Sequence, residues 1–207
     1  MTSKRREDVG PEGRGNLPLD DELNRADLPP GKGRVAELTH HAVAFMFRGR
    51  YDTAWAILQL VLKEDPAYPR AHAALAYTLM YQGKPEEGEV AAAKALELDP
   101  RFAMGYTARA DCRARLGDVA GAVADYEAAL ALDPGNYRVY YNFACFWCDQ
   151  GDEERCRRYL EIALKLSPAF FPEIVPRDPS LGAVADAPWF NALVAAAREK
   201  KKPAPGP

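Results

Sequence analysis

Several features that define other classes of protein are missing from this chain of 207 residues. It has no run of about 18 uncharged apolar residues, so we expect no segment to cross a membrane. The basic patch Lys4-Arg5-Arg6 near its start is not followed by an apolar run, so we expect no secretory signal and a cytoplasmic location. The chain has only four cysteines, which we expect to be thiols in a reducing compartment.

Signatures of catalysis and of cofactor binding are also missing. The sequence has no phosphate-binding glycine loop, no nucleophile elbow and no carboxylate pair of defined separation. The three histidines, His40, His41 and His72, do not have the spacing of metal ligands. We therefore predict a protein that is not an enzyme and that binds no cofactor or metal.

One pair of cysteines leaves an alternative open. Cys145 and Cys148 are three residues apart, which makes them neighbours on one face of a helix. Such a pair is a metal or redox signal only when a second ligand pair or a helix N-terminus accompanies it, and neither is present. We interpret these residues as structural thiols, with a thiol-based sensor or a metal protein as the alternative.

The charge distribution argues against nucleic acid as a partner. The net charge is −3, residues 1–34 are balanced, and the acidic excess lies in the middle of the chain. Nucleic-acid affinity depends chiefly on cations that neutralise phosphates, so we predict no nucleic-acid binding. The basic stretch 198–202 is interpreted as a solvated helix end.

Residues 1–34 are rich in glycine, proline and charge and contain no aromatic residue. Such a composition cannot bury enough apolar surface to offset the entropy of ordering, so we predict a disordered segment. Within it, residues 17–28 contain spaced leucines that a helix capped by Asp20 would present together. This stretch is either a short linear motif or an ordinary linker.

The rest of the chain follows a period of 34 residues. Prolines stand at positions 66, 100, 134 and 168, with a glycine 17 residues and a leucine four residues before each of them. Small residues recur in the same register, as Ala42, Ala76, Ala110 and Ala144. These landmarks define four contiguous repeats, residues 35–68, 69–102, 103–136 and 137–170. Each repeat predicts two helices separated by a glycine turn and ended by proline.

This pattern resembles the tetratricopeptide repeat (TPR). The resemblance implies an all-α fold, an α-α superhelix of four helix-turn-helix repeats in which stacked neighbours share a continuous core. Residues 171–200 resemble the closing segment of many bacterial TPR proteins, and the composition also suggests a bacterial source. We therefore expect a C-terminal capping helix in this segment, with Phe190, Leu193, Val194 and Ala197 on one face, followed by a flexible tail, 201–207.

Two places depart from the family pattern. Repeat three carries Arg109 and Arg113 where large apolar residues are usual, and Arg109 lies 16 residues before Asp125. We expect either an ion pair between Arg109 and Asp125 across the helical hairpin or a guanidinium in water. Gly88 occupies a place that holds Ala54, Ala122 or Cys156 in the other repeats, and we expect a weak point there.

The resemblance also implies that the first helix of each repeat lines a concave groove. The positions that it assigns to this surface include Val43, Met46, Phe47, Arg70, Tyr77, Met80, Tyr81, Asp111, Arg115, Arg138, Tyr141, Asn142, Cys145 and Asp149. Phe47, Tyr77, Met80 and Tyr81 are expected to form a platform for leucines or aromatics. Arg70, Arg115 and Arg138 are expected to hold carboxylates at its rim.

These features predict a scaffold or adaptor that binds a peptide or helix of a partner protein in the groove. The alternative is a self-associating or autoinhibited protein whose residues 17–28 occupy the groove in cis or in a second copy, which makes a homo-oligomer possible. A fold shared by many unrelated functions does not identify the partner.

Overall fold

The computed structural model describes residues 31–168 and 178–201. All regular secondary structure in these ranges is helical, as the repeat pattern predicts. The α-helices are α1 (Lys32–Phe47), α2 (Tyr51–Glu64), α3 (Pro69–Tyr81), α4 (Pro85–Leu98), α5 (Ala103–Leu116), α6 (Val119–Leu132), α7 (Tyr137–Asp149), α8 (Glu153–Leu166) and α9 (Pro188–Lys201), with a 3-10 helix at Pro179–Val184 before α9. Of the predicted disordered segment 1–34, residues 1–30, which include 17–28, lie outside the described residues, whereas residues 32–34 begin α1. Of the predicted tail 201–207, Lys201 ends α9 and residues 202–207 lie outside the described residues.

The helices form four antiparallel pairs, one for each predicted repeat, and the first helices of successive repeats pack side by side. The turn within every pair contains a glycine with positive φ: Gly49, Gly83, Gly117 and Gly151 have values between 73° and 81°. An L side chain rarely adopts this conformation, which explains why glycine recurs at this position in each repeat. The glycine period thus marks the turn, as predicted.

The small residues of the repeat let the helices approach closely. Ala42, Ala76, Ala110 and Ala144 are fully buried. Gly88 is buried too, and the prediction of a weak point there is wrong. A Cβ atom at Gly88 would lie 2.9 Å from the carbonyl oxygen of Ala76 and 2.9 Å from Sγ of Cys112. The backbone of α4 is therefore so close to α3 and α5 that only glycine fits.

Of the two alternatives for Arg109, the structure shows the ion pair with Asp125, and Arg113 joins it. Nε and Nη2 of Arg109 donate to the two carboxylate oxygens of Asp125 at 2.8 and 2.7 Å. Arg113 donates to the same carboxylate at 2.9 Å and to Glu89, in the preceding repeat, at 2.7 Å. Because the side chain of Asp125 is only 5% exposed, this is a partly buried network that links repeats two and three.

The expectation that all four cysteines are thiols is wrong for two of them. Cys148 in α7 and Cys156 in α8 form a disulfide, with Cα atoms 5.1 Å apart, while Cys112 and Cys145 are free. The glycine turn brings α7 and α8 face to face at this point, so Cys148 meets a cysteine of the next helix. Cys145 lies three residues before Cys148 on α7, as predicted, and is a free thiol.

The segment after the repeats covers the last helical pair. Leu181 and Val184 of the 3-10 helix and Phe190, Val194 and Ala197 of α9 are buried in one apolar cluster with residues of α7 and α8. The indole N–H of Trp189 also donates to the carboxylate of Glu153 at the start of α8. Leu193 is only partly buried against the cluster. In the described parts of the chain, no helix is both long and apolar enough to span a bilayer.

Candidate functional site

The inner helices α1, α3, α5 and α7 form the candidate binding surface, called the groove below. Its predicted residues differ widely in exposure. Those open to solvent are Phe47, Arg70, Tyr81, Arg115, Arg138 and Asp149, those partly buried are Val43, Tyr77, Asp111, Asn142 and Cys145, and those buried are Met46, Met80 and Tyr141. The platform therefore has fewer exposed side chains than predicted, because Met80 is buried in the core and Tyr77 is partly buried.

Aromatic rings dominate the groove at repeats one and two. The side chain of Phe47 is 76% exposed and that of Tyr81 is 46% exposed. Tyr81 stacks on Tyr51 with ring centroids 5.3 Å apart and planes 9° from parallel. Tyr51 is the first residue of α2, so it supports Tyr81 from the neighbouring repeat. An exposed ring held in place in this way, as Tyr81 is, offers a large apolar contact area at little entropic cost.

A polar cluster occupies the groove at repeats three and four, with Asp111 at its centre. Its carboxylate accepts hydrogen bonds from the hydroxyl of Tyr126 and from Nδ2 of Asn142, the latter at 3.0 Å. The hydroxyl of Tyr77 is a third hydrogen-bond partner. Burial raises the pKa of Asp111 to about 6, although these hydrogen bonds and the charge of Arg115 oppose the shift. Asp111 thus joins side chains from repeats two, three and four.

The 3-10 helix reaches the same surface from the C-terminal side. The hydroxyl of Tyr141 donates to Oδ2 of Asp178 at 2.6 Å, and the amide and hydroxyl of Ser180 both donate to Oδ1 of Asp178. Cys145, one turn after Tyr141, is in hydrogen-bond contact with Ser180. Residues 178–180 therefore cover the groove face of α7 and close the groove at repeat four.

Cys145 is not an activated nucleophile. Burial raises the pKa of its thiol to about 12, and the negative charges of Asp178 and Asp111 act in the same direction. The thiolate, which is the reactive form, is thus disfavoured at neutral pH. Within the described ranges, no group of three or more histidine, cysteine or acidic side chains is placed to hold a metal ion.

The predicted rim arginines do not form one cluster. Arg70 and Arg138 lie at the first turns of α3 and α7, and Arg138 stacks over the ring of Tyr137 at 5.6 Å. Arg115 lies at the other end of its helix, where its charge acts on Asp111 and Tyr81. These positions separate Arg115 from the other two along the helix axes.

Sequence reasoning missed several members of the site. Tyr51 and Tyr126 belong to second helices, which the repeat pattern places behind the groove, and Asp178 and Ser180 follow the last repeat. The one available signal was local: Asp178-Pro-Ser is a sequence typical of a capped helical turn. The contact of that turn with Tyr141 depends on the path of the chain and has no sequence signature.

Comparisons with known proteins agree with this architecture. Tetratricopeptide repeat family models match residues 48–112 and 103–136. The chain is 30% identical over 122 residues to the U-box domain-containing protein 70 of Oryza sativa subsp. japonica, a match that covers 57% of this chain but only 15% of the rice protein.

Solved structures resemble the chain over more of its length. TTC0263, a thermophilic TPR protein of Thermus thermophilus, superimposes with a TM-score of 0.68 at 21% identity, over 81% of this chain and 91% of its own. YrrB, described as a TPR protein with an unusual peptide-binding site, has a TM-score of 0.50 at 18% identity, over 73% of this chain and 79% of its own. With the repeat period and the paired helices, these matches show that residues 48–136 consist of tetratricopeptide repeats.

Proposed function

We propose that this protein is a non-catalytic scaffold that binds a segment of a partner protein in the groove. The observation that carries the proposal is the pair of exposed rings, Phe47 and Tyr81, on the inner helices of repeats one and two. The hydrophobic core of repeats one and two does not include these rings, because Met46 and Met80 already belong to the buried cluster. The rings are therefore available for a partner. Exposed, rigid aromatic side chains are frequent energetic centres of protein interfaces.

The fold and the chemistry of the groove support this proposal. TPR proteins are commonly interaction modules, and YrrB is described as having a peptide-binding site on the same fold. The groove offers apolar contacts beside hydrogen-bonding groups, whereas its thiol, Cys145, is held in the unreactive form. Cytoplasmic location, bacterial origin and self-association stay predictions.

Affinity capture with matched variants tests the proposal. We expect the variant Phe47→Ala/Tyr81→Ala to lose a captured partner, because each substitution removes an exposed ring from the groove. Trp55→Ala is the control, since Trp55 is an exposed aromatic residue (41%) on the second helix of repeat one. Tyr77 is unsuitable for this test because its substitution would also disturb the hydrogen bonds of Asp111.

Capture is read by mass spectrometry, and the helical content of each variant by circular dichroism. The proposal is supported if the wild type and the Trp55 variant both capture a partner that the double variant does not capture. The double variant must keep its helical content. A partner profile unchanged by the loss of both rings contradicts it.

A further inference from the structure

Two carboxylates at the polar end of the groove have no cationic side chain of the described residues in direct contact. Asp111 accepts hydrogen bonds from Tyr126 and Asn142, and Asp178 accepts them from Tyr141 and from within its own turn. All of these donors are neutral. Among residues 31–168 and 178–201, none of the ion pairs with an N–O distance of 4.0 Å or less includes either carboxylate.

Asp125 shows what the fold does with a carboxylate that has a purely structural role. It is almost fully buried, and the guanidinium groups of Arg109 and Arg113 both bind it at less than 3 Å. Asp111, on the other helix of the same repeat, receives no such partner from the described residues. No direct ion pair within residues 31–168 and 178–201 neutralises its charge.

Arg115 compensates this charge only in part. Its side chain is exposed at the edge of the groove, and its charge lowers the pKa of Asp111. Burial nevertheless leaves that pKa raised to about 6, so the ionised carboxylate is incompletely stabilised.

Adjacent residues of α7 contact the two carboxylates: Asn142 donates to Asp111 at 3.0 Å and Tyr141 donates to Asp178 at 2.6 Å. The charges of both Asp111 and Asp178 act on the thiol of Cys145 and on the hydroxyl of Tyr81. Tyr81 lies one turn after Tyr77, which is in hydrogen-bond contact with Asp111, so the aromatic part of the groove adjoins these carboxylates. The π face of a tyrosine ring also attracts cations.

We propose that this part of the groove receives a lysine or arginine side chain of the partner segment, an inference that rests on the proposed function. The aliphatic stem of that side chain packs on the ring of Tyr81, and its cationic head lies between Asp111 and Asp178. Residues 178–180 close the groove beyond this point, so the basic residue occupies the inner end of the bound segment. An acidic side chain there would meet two carboxylates of like charge.

A displayed library of random nonapeptides, selected on the full chain at low ionic strength, tests this inference. Binders that require Phe47 and Tyr81 are expected to be enriched in lysine or arginine. For a selected peptide, we expect Asp111→Asn/Asp178→Asn to weaken binding by about tenfold or more, and increasingly so as salt is lowered. The control Glu86→Gln/Glu87→Gln removes two exposed charges at the start of α4 and should change binding by less than about twofold.

Exchanging the basic residue of the selected peptide for glutamate tests the same contact with the unaltered protein, so a folding defect in a variant cannot mask the result. The inference is overturned if the exchanged peptide keeps its affinity. It is also overturned if acidic or uncharged residues are enriched at that peptide position. In both cases the proposed function is unaffected. If no selected peptide depends on Phe47 and Tyr81, both are overturned.

Discussion

Asp111 and Asp125, in the same repeat, illustrate two uses of a carboxylate. Asp125 is 3% exposed and bound by two arginines, an arrangement whose disruption typically costs about 3–5 kcal/mol because it leaves a buried charge. Asp111 has neutral donors and a pKa raised to about 6. Its ionisation therefore opposes folding at neutral pH. Asp125 stabilises the array, whereas Asp111 lowers its stability in favour of a charged groove.

We predict that Asp111→Asn stabilises the protein at neutral pH. The pKa of Asp111 is about 6 in the folded protein and near its ordinary value of 3.8 in the unfolded chain. The folded state thus binds more protons between these values, and the free energy of unfolding falls as pH rises from about 4 to about 6. The asparagine cannot ionise, so we expect a gain of up to about 3 kcal/mol above pH 6.

Urea unfolding at pH 4, 5, 6 and 7 measures this effect. The difference between variant and wild type should be small at pH 4 and should grow to its full size by pH 7. The amide of residue 111 can still accept from Tyr126, and the amide of Asn142 can rotate to face it. A difference that is the same at every pH would show that the carboxylate is not the cause.

At the scale of single helices, the distance between neighbouring helices determines which residue fits at a position, and the sequence of one helix does not show that distance. Gly88 lies in the first turns of α4, where alanine would raise helix propensity by about 1 kcal/mol. Its missing Cβ, however, allows α4 to approach the backbone of Ala76 and the sulfur of Cys112. Packing thus opposes propensity at this residue.

We predict that Gly88→Ala destabilises the protein by about 1–3 kcal/mol, because the new methyl group overlaps atoms that include backbone. Gly33→Ala is the matched control. A Cβ at Gly33, in α1, has no atom within 4 Å, so this change should be neutral or slightly stabilising. Thermal melts of both variants distinguish the cases. A Gly88→Ala protein as stable as the wild type would disprove the close approach.

At the scale of the whole molecule, the described residues form two apolar clusters. One joins repeats one and two and extends to Ala108 and Cys112 of α5, and the other joins repeats three and four to the 3-10 helix and α9. Stability in such arrays is approximately a sum of repeat and nearest-neighbour terms. The segment after the repeats should therefore stabilise its own end of the array much more than the far end.

Phe190→Ala tests this locality. Phe190 is 4% exposed, and its truncation should cost about 3–5 kcal/mol in the cluster that contains it. Hydrogen exchange should accelerate strongly in α7 and α8 and much less in α1 and α2. Uniform acceleration along the array would indicate a single cooperative unit and would contradict the prediction.

The sequence by itself determined the repeat period, the turn glycines and the pairing of helices, because these depend on the conformational limits of glycine and proline and on the spacing of small residues. It offered the ion pair between Arg109 and Asp125 as one of two alternatives, because the two residues lie on facing helices of one hairpin, but it did not exclude a guanidinium in water. It identified the groove positions only by family resemblance, and it did not distinguish exposed Tyr81 from buried Met80 beside it.

The tertiary structure alone decided the remaining features. The pairing of Cys148 with Cys156, the lack of space at Gly88 and the contact of Asp178 with Tyr141 depend on distances between helices or on the return path of the chain. A periodic pattern specifies which face of a helix is apolar, but it does not specify how closely two helices approach or where a segment beyond the last repeat comes to rest. The position of Asp178 in the groove, and the contact of residues 178–180 with α7, therefore depend on the tertiary structure.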